Sequence, residues 1–407
     1  MRNIRALVVT LLVILGKQFA LAEHANKPAS QKAQFPFAVK QEGVFLRFSG
    51  DFQLKINGYV QGDARSRTGG SERLLFRRMR PVFELTAFKH LVFWVMPDFG
   101  ENKTVLQDAY VEARYSPKAY VRIGKFKGPV GLERLQSATN LMFIERGFPT
   151  SLVPNLELGL QVHGELYGKK LAYAAGVFSG VPDGGSIDAD MNGTTFGARV
   201  FAHPFRGSNT AVRNLGLGVA GTVGSESGLL ASFKTPAQTK FFSYGKGTVA
   251  DGRHYRISPQ AYFYRGRVGM LAEYALSSQE VRRNTATATL TNTAWQVATS
   301  FVVTGEEASY KGVKPRRAFE GRNGAFGALE LVARYGALRV DESAFPTFAD
   351  PKSAARKASA FAVGFNWYPA RYTKFSTNFE RSWFSHTVPN GKLHPENAVL
   401  TRLQLAF

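Results

Sequence analysis

From residue 44 to the C-terminus, large apolar side chains recur at every second position in segments of roughly ten residues, separated by turn-forming residues. In Trp295–Val303 the odd positions are large and mostly apolar, and most even ones are small or polar. Val268, Met270, Ala272, Tyr274 and Leu276 share one face of their segment, and Glu273 takes the other. At the C-terminus Val399, Thr401, Leu403, Leu405 and Phe407 alternate with Leu400, Arg402, Gln404 and Ala406. A period of two sends successive side chains to opposite faces of a strand. About sixteen such segments predict an all-β chain built from antiparallel strands.

A soluble sandwich would also bury one face of each strand, so other features must choose between sandwich and barrel. The first 22 residues carry a basic start (Arg2, Arg5), an apolar stretch from Ala6 to Leu15, and Ala20-Leu21-Ala22 as a cleavage site, the pattern of an export signal. That stretch falls short of the roughly 18 residues a membrane-spanning helix needs. After it, no apolar run exceeds about half a dozen residues, Leu91–Met96 among the longest, which excludes transmembrane helices. A closed barrel is the other structure that satisfies every backbone hydrogen bond within lipid. The expected organisation is a signal over residues 1–22, a polar lead-in over 23–43, and one transmembrane antiparallel β-barrel over 44–407. A last strand ending in Phe407 resembles the assembly signal of bacterial outer-membrane barrels and implies the barrel assembly machinery as a partner.

Short turns are expected at Ser116-Pro117-Lys118, Gly168-Lys169-Lys170, Arg265-Gly266-Arg267 and Pro369-Ala370-Arg371. Long polar connections near 180–193, 227–252, 279–291, 339–357 and 386–396 would form the outward-facing loops. One segment, 305–324, is long where a short inner turn is expected.

Removing three cations with the signal, Arg2, Arg5 and Lys17, from the +22 of the whole chain leaves +19 on the mature protein. A periplasmic nucleic-acid binder has no natural substrate, so the charge reads as a field for anions. The loop from Gly128 to Pro154 is too apolar for a solvated surface: Val130, Leu132, Leu135, Leu141, Met142, Phe143, Ile144 and Leu152 need a wall to pack on. Folded inward, it would narrow the lumen as a constriction. It carries two pairs, Glu133-Arg134 and Glu145-Arg146, and two readings of them stay open. They are surface salt bridges, or they project guanidinium groups into the constriction, where a planar fork of donors suits oxyanions.

Arg73, Arg77, Arg78 and Arg80 form a second basic cluster in one strand. Arg78 and Arg80 share a face and Arg77 shares the other with Arg73, so not all four can line a pore, and the outliers belong at a rim or a bulge. Catalysis has little support: His254 and Ser258 share a face but lie roughly 13 Å apart by strand rise. With no Cys and no His pair at useful spacing, neither a metal nor another cofactor is implied.

Asp108-Ala109-Tyr110-Val111, Gly124-Lys125-Phe126-Lys127, Gly131–Ala138, Phe143–Arg146 and Leu152-Val153-Pro154-Asn155 together resemble the phosphate-selective porin O and P family, in order and spacing. The likeness continues through Gly159–Gly164 and Thr304–Glu307 to Phe407, nearly the whole mature chain. It implies a sixteen-stranded trimeric barrel in the outer membrane of a Gram-negative bacterium, passing phosphate, polyphosphate or related anions. It also accounts for the long inner connection at 305–324. By that resemblance Arg134 and Arg146 form the constriction and Asp108 lies near it; the basic cluster of the second strand adds Arg77 or Arg78 at the approach. Lys125, Lys127, Glu133 and Glu145 are further expected pore-lining residues. The best-known phosphate channels carry a lysine where this chain has Arg134, so a general anion or small-solute pore of the same fold remains an alternative, with a barrel enzyme the remoter one.

Overall fold

The structure, a computed structural model, describes residues 37–40, 43–48, 51–70, 72–187, 193–321, 324–386 and 393–407. The description below concerns the unit Val39–Phe407. The expected signal and most of the polar lead-in lie outside the described residues.

Sixteen strands make a closed antiparallel barrel. They are β1 (Phe52–Arg67), β2 (Arg73–Ala87), β3 (Leu91–Asp98), β4 (Val105–Ser116), β5 (Ala119–Phe126), β6 (Glu157–Leu166), β7 (Leu171–Phe178), β8 (Gly193–Ala202), β9 (Leu215–Leu229), β10 (Thr248–Arg265), β11 (Val268–Arg283), β12 (Ala286–Val302), β13 (Ala328–Arg339), β14 (Lys357–Ala370), β15 (Thr373–Ser385) and β16 (Glu396–Ala406). Each pairs with its neighbour in sequence, and β16 returns to β1, from Ala406 opposite Tyr59 to Ala398 opposite Arg67. Closure leaves the wall no free edge, which is what a sheet in lipid requires. Phe407 completes the seam by exchanging backbone hydrogen bonds with Gly58 at 3.0 and 3.1 Å.

The alternation read from the sequence is that of this wall turned inside out relative to a soluble protein. Ile123, Phe196, Trp295, Phe361 and Leu403 stand exposed on the outside, while Gln61, Glu273, Gln296, Asn366 and Arg402 are buried within. An apolar exterior of this extent belongs in contact with lipid tails.

All four expected short turns are present, at the end of the barrel that also carries 88–90. Two long connections share that end: 303–327, which contains the anomalous 305–324 segment, and 203–214, which sequence reading passed over. The expected loop at 279–291 is not one. β11 and β12 run on as a ladder to Arg283 opposite Ala286, and only Asn284 and Thr285 connect them. Asn284 has φ 55°, a conformation that asparagine tolerates in a tight hairpin. The misreading has a physical cause: this hairpin rises past the apolar belt, where Glu280 and Arg282 face water, so its outer face is polar like that of a loop.

An epitope inserted between Asn284 and Thr285 should be tolerated and reached by antibody on intact cells. The same epitope between Arg371 and Tyr372 should be reached only after permeabilisation. Labelling of both on intact cells would contradict this topology.

Candidate functional site: a basic cavity at the inward loop

The connection 127–156 between β5 and β6 turns into the barrel. Gly131 adopts φ 88° at the entry, where an added Cβ would lie 2.8 Å from that of Arg134. A single helical turn, α1 (Leu132–Leu135), follows. Its first amides, those of Leu132 and Glu133, donate to the Glu273 carboxylate of β11 at 2.7 and 3.2 Å. Leu132, Leu141, Phe143, Ile144, Phe148, Leu152 and Val153 are buried within the barrel, as their apolar character requires. Each such side chain contributes about 1.5–3 kcal/mol by leaving water.

Polar side chains of the wall hold the loop's backbone. Lys374 donates to the Leu141 carbonyl at 2.6 Å, Asn366 to Met142 at 2.9 Å, Arg402 to Ile144 at 2.6 Å and Arg334 to Glu145 at 2.9 Å. Asn378 accepts from the Ile144 amide at 2.8 Å. The loop thus crosses from β5 to the wall formed by β13–β16.

There Glu145 meets four arginines. Its carboxylate lies 2.7 Å from Arg77, 2.8 Å from Arg65, 3.3 Å from Arg402 and 3.4 Å from Arg78. Asp63 shares Arg65 at 2.7 Å and Arg402 at 2.6 Å. Burial alone would favour the neutral acid, but the surrounding guanidinium groups outweigh it and hold the Glu145 carboxyl well below the usual carboxylate range.

The register of β2 corrects the expectation about its arginines. A bulge where β1 passes from Gln61 to Gly62 leaves Arg77 as the extra residue, with Gln61 opposite Arg78 and Gly62 opposite Phe76. Past the bulge Arg73 pairs with Arg65, so it too falls on the inner register. All four arginines therefore face inward, Arg80 bonding Asp98 at 2.7 Å and Tyr59 at 3.0 Å.

Neither Glu-Arg pair of the loop is a surface salt bridge. Arg146 donates to the backbone carbonyls of Glu133 and Gln136 at 2.9 and 2.7 Å. Arg134 donates to Asn155 Oδ1 at 2.9 Å and to the Thr150 carbonyl. Both guanidinium groups are oriented by neutral acceptors and, among the described residues, have no carboxylate at ion-pair distance. Burial, with repulsion from Arg146, pushes Arg134 down to about 9, which leaves it protonated at neutral pH.

Arg77, Arg78, Arg134, Arg146 and Glu145 line one cavity of about 530 Å³. Lys234 and Asp183 complete its charged lining, so five cations face two carboxylates. Lys234 comes from a second inward segment, a small hairpin (Phe233–Lys234 with Lys240–Phe242) pinned by the Ala237 amide to Glu380 at 2.9 Å. A third segment enters from the short-turn end: Tyr310 donates to the Leu132 carbonyl at 2.6 Å, and Gln136 to the Tyr310 carbonyl at 2.6 Å. Beneath the loop, Lys311, Lys314, Arg371 and Lys374 line a smaller cavity of about 250 Å³.

The remaining expected residues lie elsewhere. Glu133 is structural: it accepts from the Gly147 amide at 2.7 Å and from Gln296 at 2.9 Å. Asp108 sits on the inner register of β4, opposite Met96, within electrostatic range of Lys127 and Arg80. Lys127 is pushed well below the usual lysine range by burial and by Arg146. Lys125 departs from expectation. It pairs with Leu158 on the outward register, and its ammonium donates to the Ile187 carbonyl at 2.8 Å, away from the lumen. Sequence reading missed Arg65, Arg402 and Lys234. Only Arg402 left a signal, as the charged member of the inner face of the last strand.

Among the described residues one serine hydroxyl does reach an imidazole, from a neighbouring strand rather than the same one. His254 Nε2 lies 2.7 Å from Ser277 Oγ, and its Nδ1 lies 2.8 Å from Glu226. All three are buried, and the cavity beside His254 is only about 10 Å³, too small for a substrate. With Arg256 and Asp183 at 2.8 Å, the group ties connection 179–192 to the wall.

Replacing Glu145 with Gln leaves the four arginines with Asp63 and, 3.5 Å from Arg77, Glu101, and breaking such a buried network costs roughly 3–5 kcal/mol. The loop should loosen, seen as a lower melting temperature of the assembled barrel and a noisier single-channel current. Because the folded-state pKa of Glu145 is depressed, its stabilisation is full above the ordinary value of about 4.3 and is lost only as pH falls through the lower folded value. The difference in conductance between the native protein and Glu145→Gln should thus stay constant from pH 8 to pH 5. A titration of that difference within the window would show that Glu145 does not hold the loop.

The phosphate-selective porin O and P family matches residues 46–407. No curated protein matches the sequence. Among solved structures, the outer-membrane channel DcaP of Acinetobacter baumannii superposes with a TM-score of 0.60 at 11% identity, covering 90% of this chain and 100% of that one. OmpT of Vibrio cholerae gives 0.59 at 11% identity, over 88% of this chain and 98% of that one. An anion-selective porin from Comamonas acidovorans gives 0.55 at 12% identity, over 88% and 100%. At such identities these likenesses establish the fold, while the family match spans the barrel from end to end, and the chain belongs to the phosphate-selective porin O and P family of outer-membrane β-barrel porins.

Proposed function

We propose that this porin is an anion-selective channel for phosphate and related oxyanions, including pyrophosphate and polyphosphate, with Arg134 and Arg146 as its narrowest basic contacts. The observation that carries the reading is the excess of cations around the 530 Å³ cavity, two of them held by neutral acceptors and free of carboxylate partners. Arg77 and Arg78 serve the approach, and the carboxylates of Glu145 and Asp183 limit the field so that an ion can leave as well as enter. Asp108 and Lys127 tune the potential nearby. Broad anion passage without phosphate preference is the second reading, favoured by the share of the arginine charge that Glu145 and Asp63 already neutralise.

The long loops face outward from the cell, and the exposed Phe407 at the closing seam offers the assembly machinery its signal. A homotrimer belongs to the same reading, supported by the family resemblance and by a trimeric form of Vibrio cholerae OmpT among the structural neighbours.

Replacing Arg146 with Ala should weaken phosphate block of chloride current and lower anion selectivity, and Arg146→Glu should shift the reversal potential toward cations. Arg134→Lys should keep anion selectivity while changing oxyanion preference, since the two side chains differ in donor geometry more than in charge. Reversal potentials across a salt gradient, with phosphate titrated against chloride, read all three. Unchanged selectivity in both Arg146 variants would remove the loop from the filter.

A further inference from the structure

At the long-loop end of β13–β15, cations stand on the outer face of the wall. Arg339 of β13 lies directly opposite Lys357 of β14, and both are exposed. Further along the same strands and the same face, Tyr335 and Phe361 are exposed and opposite each other, part of the apolar exterior. One strand further round, Arg381 of β15 pairs with Phe361, with its guanidinium 5.7 Å from the Trp383 ring. Trp295 and Tyr335 meet edge to face at 5.5 Å on the same stretch of wall. Aromatic rings at this position mark the boundary between hydrocarbon and head groups. Arg339 and Lys357 lie beyond them on the loop side and Arg381 among them, at head-group depth.

Like charges directly opposite across a ladder repel. Elsewhere on this rim the outward cations are matched by acids, Arg253 with Glu280 at 2.9 Å and Arg282 with Asp251 at 2.5 Å. Here Glu342 reaches Arg339 at 3.2 Å but is shared with Arg356. Lys357 and Arg381 have no carboxylate within ion-pair distance among the described residues. Two facing cations, a third roughly 13 Å further along by strand rise, and a continuous apolar face below them describe a receptor for an anionic head group with attached acyl chains.

We propose that Arg339, Lys357 and Arg381 bind the phosphate groups of a phosphorylated outer-leaflet glycolipid, whose acyl chains lie along the apolar wall beneath. A phosphate between Arg339 and Lys357 accepts from both and turns their repulsion into a bridge. Arg381 takes the head group from the side, backed by Trp383. The glycolipid, rather than a phospholipid of the inner leaflet, follows from the position of the cations at the end carrying the long loops.

The test uses the full mature chain in detergent, titrated with diphosphorylated lipid A and with dephosphorylated lipid A, binding being read by native mass spectrometry. The phosphorylated lipid should bind more tightly, and Lys357→Ser with Arg381→Ser should weaken it about tenfold or more, to the level of the dephosphorylated lipid. Arg253→Ser, on the same rim but paired with Glu280, should leave the affinity unchanged. Chloride reversal potential should be the same in all variants, which separates this surface from the lumen. Equal binding of the two lipids, equal affinity in the double variant, or full displacement by inorganic phosphate at comparable concentration would overturn the proposal.

Discussion

A barrel in lipid must turn its apolar side chains outward, and this places polar and charged groups on its inner wall. On the adjoining strands β16, β1 and β2 that constraint brings Arg402, Arg65, Arg77 and Arg78 close enough to share one carboxylate. Four guanidinium groups so near one another would repel, and Asp63, with the exposed Glu101 3.5 Å from Arg77, does not balance them. The missing charge arrives from elsewhere in the chain: Glu145, carried by the inward loop, lies within 3.4 Å of all four. The same contacts that relieve the wall also decide where the loop can rest.

The hydrophobic clusters inside are built jointly from the segments that enter and from inward side chains of the wall, such as Ala294, Leu338, Leu271 and Val332. Val130, Phe148, Leu152 and Val153 of the loop pack with Phe233, Phe241 and Phe242 of the inward hairpin, and Leu132 and Phe143 with Val313 of the connection from the other end. Three separate stretches of chain thus meet within one barrel. Basic cavities remain above and below their junction, and the lining is arginine-rich on the long-loop side and lysine-rich on the other. What distinguishes Arg134 and Arg146 is the nature of their partners. Backbone carbonyls and an amide oxygen fix the direction of these guanidinium groups without neutralising them, whereas the arginines on Glu145 are largely committed.

Much of the barrel was legible beforehand, since alternation with a period of two is a local property and a closed antiparallel wall repeats it on every strand. The inward loop was legible for a related reason: Leu132, Leu141, Phe143, Ile144 and Leu152 have no business in water. Failures came where one local pattern has two physical origins. The stretch 279–291 is polar because its hairpin stands clear of the membrane, not because it is a loop. Counting by twos from Arg73 to Arg80 put Arg77 and Arg73 on the wrong face, because a bulge adds one residue to the count and nothing in the composition announces it.

The sequence by itself determined the closed β-barrel, its apolar outside, its basic charge and the loop that must hide its leucines, because each follows from the free energy of single side chains in lipid or water. Tertiary structure alone decided which charges stay available. Glu145 and Arg146 are neighbours in sequence, yet one neutralises arginines from three strands and the other bonds only to backbone carbonyls. Ser277 reaches His254 from the adjacent strand, in a space too small to use. Lys125 and Lys127 stand two residues apart, one outside the wall and one within. Partners such as these are set by strand register and by chain returning from hundreds of residues away, and electrostatic energy depends on those distances in space rather than on order along the chain.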